Sequence, residues 1–320
     1  MRIAFPAWLL ALLLIASPQQ PVSAGRPGDP GWEDPALGEL RALNDAFWRA
    51  FSERDLWGMG RLWARDENVS AIFPASSTPL IGWDDVRENF RKSFAHNRDI
   101  KIDPRIVCLW VSGNAALLVD SVLFEAVQTQ TGQPVIMNRM LGTKVLEKSG
   151  GRWRVVHFHA HYPGFVIPDP TRHKPAATEG AKLARQPEDV ARASDAFYGA
   201  LTGEDLAAMA PLWAGGDDVS AIHPSNPAVF LGHDAVMASW KQAFADIEAV
   251  HVRPYLAVMR ASDRMAWVVD ASEFHIGATG SDSLMHLHNV LSTQVFEQQN
   301  GKWMMVHYHG QIGLSFEHTD

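Results

Sequence analysis

The chain contains two copies of one sequence pattern, offset by 150 residues. Residues 45–74 read DAFWRAFSERDLWGMGRLWARDENVSAIFP, and residues 195–224 read DAFYGALTGEDLAAMAPLWAGGDDVSAIHP. The same offset aligns segment 153–159, WRVVHFH, with segment 303–309, WMMVHYH. A constant offset without gaps indicates one fold encoded twice. A residue present in both copies therefore serves the fold or a shared chemistry, whereas a residue in one copy belongs to a task of that copy or to drift.

The first 24 residues have the pattern of a secretory signal. Arg2 precedes an apolar run over residues 7–16, and Val22-Ser23-Ala24 forms a small-residue cleavage site. The run is short for a membrane span, which takes ~20 residues. We therefore expect an exported protein, secreted or periplasmic, rather than one held by an N-terminal anchor.

Proline-rich segments separate the parts of the mature chain. Residues 25–37 predict an extended leader, and residues 165–187 predict a linker stiffened by its prolines. The two domains are accordingly expected at 38–164 and 188–314.

Composition restricts the classes of function. Cys108 is the single cysteine, so no internal disulfide can form, and hydrophobic cores must supply the stability. The formal net charge of −8 becomes −9 once Arg2 is removed, and the basic residues are scattered. Nucleic acid and anionic membrane are therefore poor partners for the mature chain. No dinucleotide motif, P-loop or nucleophile elbow is present, so no cofactor is expected.

Each copy predicts the order helix, helix, strand, helix and then four strands. Asp55 and Asp205 are expected to cap the second helices, and Asp84 and Asp234 the third. In the first copy, the four strands are predicted at 102–111, 115–127, 135–147 and 152–161. A bent antiparallel sheet wrapped around helices would enclose a pocket on its concave side.

The last hairpin carries a family resemblance. Residues 143–159, TKVLEKSGGRWRVVHFH, resemble the association domain of calcium/calmodulin-dependent protein kinase II. With the helix start at Gly82 and Asp84, both repeats resemble SnoaL-like domains of the nuclear transport factor 2-like superfamily, which includes the ketosteroid isomerases. The resemblance implies an α+β fold with two cone-shaped domains.

Family members commonly dimerise through the convex faces of their sheets, so the resemblance also implies that the two repeats pair within the chain about an approximate two-fold axis. Two independent domains are the alternative, and further self-association stays open.

Two aspartates lie at strand centres in apolar surroundings. Asp120 and Asp270 occupy the same position in the two copies. A carboxylate in an apolar pocket can move protons, because burial raises its pKa. An aspartate that faces solvent or bonds to a neighbouring strand is the alternative.

Histidines recur in the last strand, and His157 and His307 are candidate catalytic residues. Odd-numbered positions from 153 to 159 should share one face, with Val156 and Phe158 on the other. We expect the histidines on the convex face, hydrogen-bonded where the repeats pack together. Acid–base or ligand contact in a pocket is the alternative.

A histidine cluster is specific to the second copy, since positions 136 and 138 hold Ile and Asn. If position 294 pairs with 305, His288 lies diagonally next to His309. The hypothesis is a zinc or copper site formed by His286, His288, His307 and His309.

The remaining candidate residues suggest a binding pocket. The ligand-contact candidates are Trp63, Trp213, Ser70, Ser220, Thr143, Thr293 and Arg139. The function that this pattern favours is binding of a small, mostly apolar organic molecule in the cones. One alternative is a cofactor-free isomerase, dehydratase or hydrolase that uses the Asp or His residues, and the other is a non-catalytic oligomerisation scaffold. An inward carboxylate in a deep pocket favours catalysis, an apolar and hydroxyl lining favours binding, and a filled cone favours a scaffold.

Overall fold

The computed structural model describes residues 35–163, 187–224, 226–245, 247–278 and 284–313. The expected signal at 1–24 lies outside these ranges, as do nearly all of the expected leader and linker. No helix among the described residues is long and apolar enough to cross a membrane.

Three helices begin each repeat. In the first they are α1 (Pro35–Ser52), α2 (Leu56–Leu62) and α3 (Trp83–His96), and in the second they are α4 (Glu188–Thr202), α5 (Leu206–Met209) and α6 (His233–Ala245). Asp55 caps α2 as expected, because its Oδ1 accepts from the Gly58 N–H at 2.8 Å. The expected cap at Asp84 is wrong, since α3 begins after Gly82 and Asp84 lies in its first turn. Asp234 likewise lies within the first turn of α6.

Each repeat forms one six-stranded sheet. The first contains β1 (Ser70–Ile72), β2 (Leu80–Ile81), β3 (Asn97–Ser112), β4 (Ala115–Gln128), β5 (Pro134–Ser149) and β6 (Arg152–His161). The second contains β7 (Ser220–Ile222), β8 (Phe230–Leu231), β9 (Ile247–Ala261), β10 (Met265–Ala278), β11 (Leu284–Gln299) and β12 (Lys302–Ile312). The strand orders are β2-β1-β6-β5-β4-β3 and β8-β7-β12-β11-β10-β9, so the two sheets have the same topology. In each, the predicted four-stranded meander is extended by a short strand that pairs in parallel with the last strand.

The helices pack on the concave face of each sheet, where they form the core. In the first repeat Phe47 of α1 and Phe90 of α3 pack with Phe158 of β6, and all three are buried. Their counterparts Phe197, Trp240 and Tyr308 pack in the same way. Apolar residues at equivalent positions therefore form a separate core inside each cone.

A β-bulge in the last hairpin changes which residues share a face. Leu146 pairs with Val155 and Val145 pairs with His157, so Val156 is the extra residue. Val155 and Trp153 consequently face the first repeat's own core, whereas Val156 packs with residues of the second repeat. The expected common face for positions 153 to 159 is therefore wrong, although His157 and His159 do face away from the cone.

The two sheets contact each other. Val145 and Val156 of the first repeat belong to the same buried cluster as the core of the second. At the edge of this contact, the Arg260 guanidinium pairs with Asp66 at 3.1 Å and with Glu147. The sheet-to-sheet contact determines where several of the candidate side chains lie.

Candidate functional site

A buried hydroxyl–imidazole network crosses the contact between the repeats. Thr143 Oγ1 on β5 lies 2.9 Å from His307 Nε2 and 2.8 Å from His309 Nδ1, both on β12. His307 Nδ1 lies 2.7 Å from the Ser220 hydroxyl on β7. His307 thus lies between a hydroxyl group of its own sheet and one of the other sheet, and His309 contacts the hydroxyl group of the other sheet.

The same network occurs a second time with the repeats exchanged. Thr293 Oγ1 lies 2.8 Å from His157 Nε2 and 2.9 Å from His159 Nδ1. His157 Nδ1 lies 2.8 Å from the Ser70 hydroxyl. Reciprocal contacts between equivalent positions are the mark of a two-fold interface. The two repeats therefore contact each other as the halves of a two-fold pair.

Burial keeps the imidazoles of this network neutral. It lowers the pKa of His157 and of His307 to about 3, and it lowers the pKa of His159 and His309 well below the usual 6.5. The His159 and His309 rings stack at 3.7 Å, which two charged rings would oppose. The candidates Ser70, Ser220, Thr143, Thr293, His157 and His307 accordingly form an interface rather than the lining of a cone.

The first cone contains a fully buried ion pair. Asp120 Oδ2 on β4 accepts hydrogen bonds from Lys144 Nζ at 2.8 Å and from Trp48 Nε1 at 2.6 Å. Both charged side chains are 0 % exposed. Residue 142 is glycine, and a Cβ there would lie 2.1 Å from Asp120 Oδ1. The missing side chain leaves the room that the carboxylate occupies.

Aromatic rings fill the space around this ion pair. The Lys144 ammonium lies 4.8 Å from the ring centre of Phe47, 4.4 Å from Trp48 and 5.3 Å from Phe158. At the wider end of the cone, Phe94 and Phe124 are both buried against Phe51. Burial lowers the Lys144 pKa, and the neighbouring Asp120 carboxylate opposes that shift. Asp120 is therefore the partner of a buried cation, which suits a structural role better than proton transfer.

The second cone replaces the ion pair with neutral donors. Asp270 accepts hydrogen bonds from the Tyr198 hydroxyl at 2.7 Å, Ser292 Oγ at 3.0 Å, Gln294 Nε2 at 3.1 Å and Ser272 Oγ at 3.3 Å. Asp270 is 1 % exposed. Burial raises its pKa to about 6, and the four hydrogen bonds oppose this rise. This carboxyl group can therefore change its protonation state near neutral pH.

Two aromatic residues of the second repeat are also less buried than their counterparts in the first. Phe94 and Phe124 are buried in the first repeat, but their counterparts Phe244 and Phe274 are partly exposed. The two interiors have consequently diverged in polarity and in how deeply these aromatic rings are buried, although the positions are equivalent.

Three other predicted residues make no contact with the buried aspartates: Trp63 and Trp213 are buried in the cores, and Arg139 is exposed. Trp63 and Trp213 end the second helical turns, and each bridges to the last strand of its own sheet, so they serve the core as well as its edge. Arg139 is exposed on β5, with a φ of 63° where the pairing with β4 is irregular. Cys108 is partly buried, and desolvation raises the pKa of its thiol to about 12, so it is not a reactive thiolate.

The strand register contradicts the expected metal site. Asn300 and Gly301 form a two-residue turn that pairs Gln299 with Lys302, and a bulge then pairs position 294 with 308 rather than 305. His309 therefore faces Thr293, about five residues or ~17 Å along the strand from position 288. The side chains of His286 and His288 lie outside the described part of the chain. Among the described residues, no group of three His, Cys, Asp or Glu side chains could hold a metal ion.

Sequence reasoning missed the partners of the aspartates. Lys144, Tyr198 and Gln294 were not candidates, yet each donates to a buried carboxylate. One signal was present, because Lys144 stands in an apolar strand where the second copy has an uncharged residue. A lysine at such a position requires a buried anion.

Comparisons with known proteins identify the fold and the family together. A six-stranded sheet packed against three helices, duplicated in one chain, defines a tandem cone-shaped α+β protein. The profile of the SnoaL-like domain matches residues 40–163 and 190–314. The chain therefore belongs to the SnoaL-like family, with two such domains of the nuclear transport factor 2-like fold.

Individual relatives cover one repeat rather than the chain. F-box protein SKIP8 of Arabidopsis thaliana is 31 % identical over 118 residues, which is 37 % of this chain and 47 % of that protein. The chain thus spans about half the length of this curated relative.

Two solved structures are similar to part of the chain. A ketosteroid isomerase-like protein of Erwinia carotovora atroseptica is 16 % identical and covers 40 % of this chain and 97 % of its own, with a TM-score of 0.37. A Thiobacillus denitrificans protein, provisionally assigned to the calcium/calmodulin-dependent protein kinase type II association domain, is 26 % identical and covers 41 % and 97 %, with a TM-score of 0.32.

Proposed function

We propose that this chain is an exported protein that binds a small, mostly apolar organic molecule in the cone of its second repeat. The difference between the two cones carries the proposal. The first interior is closed by aromatic rings around the Lys144–Asp120 ion pair, whereas the second has a carboxyl group held by neutral donors and two aromatic residues that are partly exposed.

The polar cluster supplies what a binding site in an apolar cone needs. Such sites combine apolar walls with a few polar groups that fix the orientation of the ligand. Phe197, Trp240 and Phe274 supply apolar surface, and Tyr198 and Asp270 supply a donor and an acceptor. A hydroxyl or carbonyl group on the ligand would hydrogen-bond to this pair while the rest of the ligand lies against the rings.

The function of the first repeat follows from the same comparison. Its filled cone and the reciprocal Thr–His contacts make it the structural partner of the second repeat. Within the chain it takes the place that a second subunit has in a dimer.

Native mass spectrometry of protein purified from its own host tests this function. We expect a bound small molecule that Tyr198→Phe weakens or removes, because this change deletes the hydroxyl and leaves the ring. The matched control is Trp48→Phe at the equivalent position of the first cone, which should retain the ligand. A neutral fluorescent probe, N-phenyl-1-naphthylamine, should compete with the retained molecule. Equal loss of ligand in both variants, or no uptake of the probe by wild-type protein, would contradict the proposal.

Proton transfer is a second candidate function, and the pKa of Asp270 favours it. A carboxylate with a pKa of about 6 can take a proton from a carbon next to a carbonyl group and return it to another carbon. The test is deuterium uptake from heavy water by 2-tetralone, an enolisable apolar ketone. Exchange that Asp270→Asn abolishes and Asp120→Asn leaves unchanged would establish catalysis, and exchange equal to the buffer rate would exclude it for this ketone.

A further inference from the structure

A groove at the surface of the first repeat is lined by none of the residues that surround the Lys144–Asp120 pair. It runs between the last turn of α1, helix α2 and the start of β6, and its volume is about 900 Å³. Five arginines line it: Arg49, Arg61, Arg65, Arg152 and Arg154. Two carboxylates, Glu53 and Asp55, also line it, so positive charge is in excess. Such an excess is unusual on a chain whose net charge is negative.

The arginines belong to the first repeat alone. The equivalent positions in the second repeat hold Gly199, Pro211, Gly215, Lys302 and Met304. The shared fold therefore does not require these five guanidinium groups. By the logic of the duplication, they serve a task of the first repeat.

Most of this charge is unpaired. The side chains of Arg49, Arg152 and Arg154 have no hydrogen bond or ion pair with another described residue. Arg65 donates through Nε to the Gly60 carbonyl at 2.7 Å, which leaves its terminal nitrogens available. Arg61 lies over the exposed ring of Trp57, with 3.9 Å between the guanidinium carbon and the ring centre.

Several carboxylates in or near the groove already accept hydrogen bonds or form ion pairs with other groups. Asp55 Oδ1 accepts from the Gly58 N–H as the cap of α2. Arg154 also borders a neighbouring cleft that holds Asp66 and Glu147, but Arg260 of the second repeat pairs with both. Glu53 and Asp55 are thus the only carboxylates that line the groove among the described residues, and the five arginines outnumber them.

Two buried indole groups add unpaired donors to the same groove. Trp63 and Trp153 both line it, and the Nε1 atom of each lacks an acceptor among the described residues. An indole N–H can only donate, so an acceptor is what it needs. Trp213, the counterpart of Trp63 in the second repeat, also lacks an acceptor, so this feature of Trp63 is common to both repeats. The Trp153 indole is therefore the stronger indicator of a ligand.

We propose that this groove is a binding site for a small organic molecule that carries carboxylate or phosphate groups. Guanidinium groups match the planar, bidentate geometry of these oxyanions. The Trp63 and Trp153 side chains supply indole donors and apolar surface beside them. The site is separate from the second cone, so the chain has room for two ligands of different chemistry.

Titration calorimetry of the full mature chain at low salt tests the site with two probes, phthalate and inorganic phosphate. We expect saturable binding of at least one probe, and the stronger binder identifies the head group. The double variant Arg152→Gln/Arg154→Gln should weaken binding at least about tenfold, since it removes two charge-assisted contacts. Added salt should weaken binding by wild-type protein as well.

The matched control is Arg87→Gln/Arg105→Gln, which removes the same charge from two exposed arginines outside the groove. It should bind the probes as wild-type protein does, and all variants should bind N-phenyl-1-naphthylamine equally. The proposal is overturned if neither probe binds at millimolar concentrations, or if both double variants lose the same affinity. The naphthylamine result keeps a failure here distinct from a failure of the second-cone proposal.

Discussion

The interface histidines should make the chain unusually sensitive to acid. His157 and His307 are buried, hydrogen-bonded and neutral, each with a pKa lowered to about 3. In the unfolded chain their pKa returns to about 6.5. The unfolded state therefore binds more protons below pH 6.5, so stability is full above that pH and falls progressively towards pH 3.

The size of the effect follows from these values. One pH unit corresponds to about 1.4 kcal/mol for each group, and pH 5 lies about 1.5 units below the unfolded pKa. Each of the two histidines should thus lower the free energy of unfolding by about 2 kcal/mol at pH 5, or by about 4 kcal/mol together. A typical domain has a free energy of unfolding of about 5–15 kcal/mol, so this loss is large.

Urea unfolding at pH 7 and pH 5 measures the loss. The double variant His157→Gln/His307→Gln keeps hydrogen-bonding groups in place and removes two titrating sites. Its stability should fall between the two pH values by about 4 kcal/mol less than that of wild-type protein. The exposed His96→Gln serves as control and should behave as wild type. An equal loss in the double variant and in wild-type protein would refute the reasoning.

Three further predictions concern the reciprocal contacts and the two aspartates. Thr143→Val and Thr293→Val should each lower the free energy of unfolding by about 1–3 kcal/mol, and by similar amounts, because each leaves two buried imidazole nitrogen atoms without a partner. Lys144→Met should cost about 3–5 kcal/mol in denaturant unfolding by leaving a buried carboxylate alone, and adding Asp120→Asn should restore most of the loss. In carbon-13 NMR the Asp270 carboxyl should titrate near pH 6, and Asp270→Asn assigns the signal; a midpoint near 4 would contradict the burial argument.

The repeated pattern predicted the three helices and five of the six strands of each repeat, because helical and strand periodicities persist through both copies, but it missed β2 and β8. It did not predict that Ser70–Ile72 pairs in parallel with the last strand, since three residues carry no periodic signal of their own. The bulge at Val156 was also invisible, because it depends on the sheet's curvature rather than on one residue type.

The site was predicted less completely than the fold. Burial of Asp120 and Asp270 followed from their apolar neighbours in the sequence, but their partners lie on other elements, 24 and 72 residues away. The histidines were correctly expected at the contact between repeats. The predicted register of the last hairpin was wrong, although the two-residue turn at Asn300-Gly301 determines which residues pair. Side chains that meet only through tertiary packing leave little trace in a single sequence.

The central claim is that duplication left the first repeat as a structural partner and the second as the ligand-binding domain. The most direct measurement is a crystal structure of the chain with the small molecule retained from its host. We expect density for this molecule in the second cone, within hydrogen-bonding distance of Tyr198 or Asp270, with the Lys144–Asp120 pair of the first cone unchanged. Density for it in the first cone, or bound only outside both cones, would contradict the account.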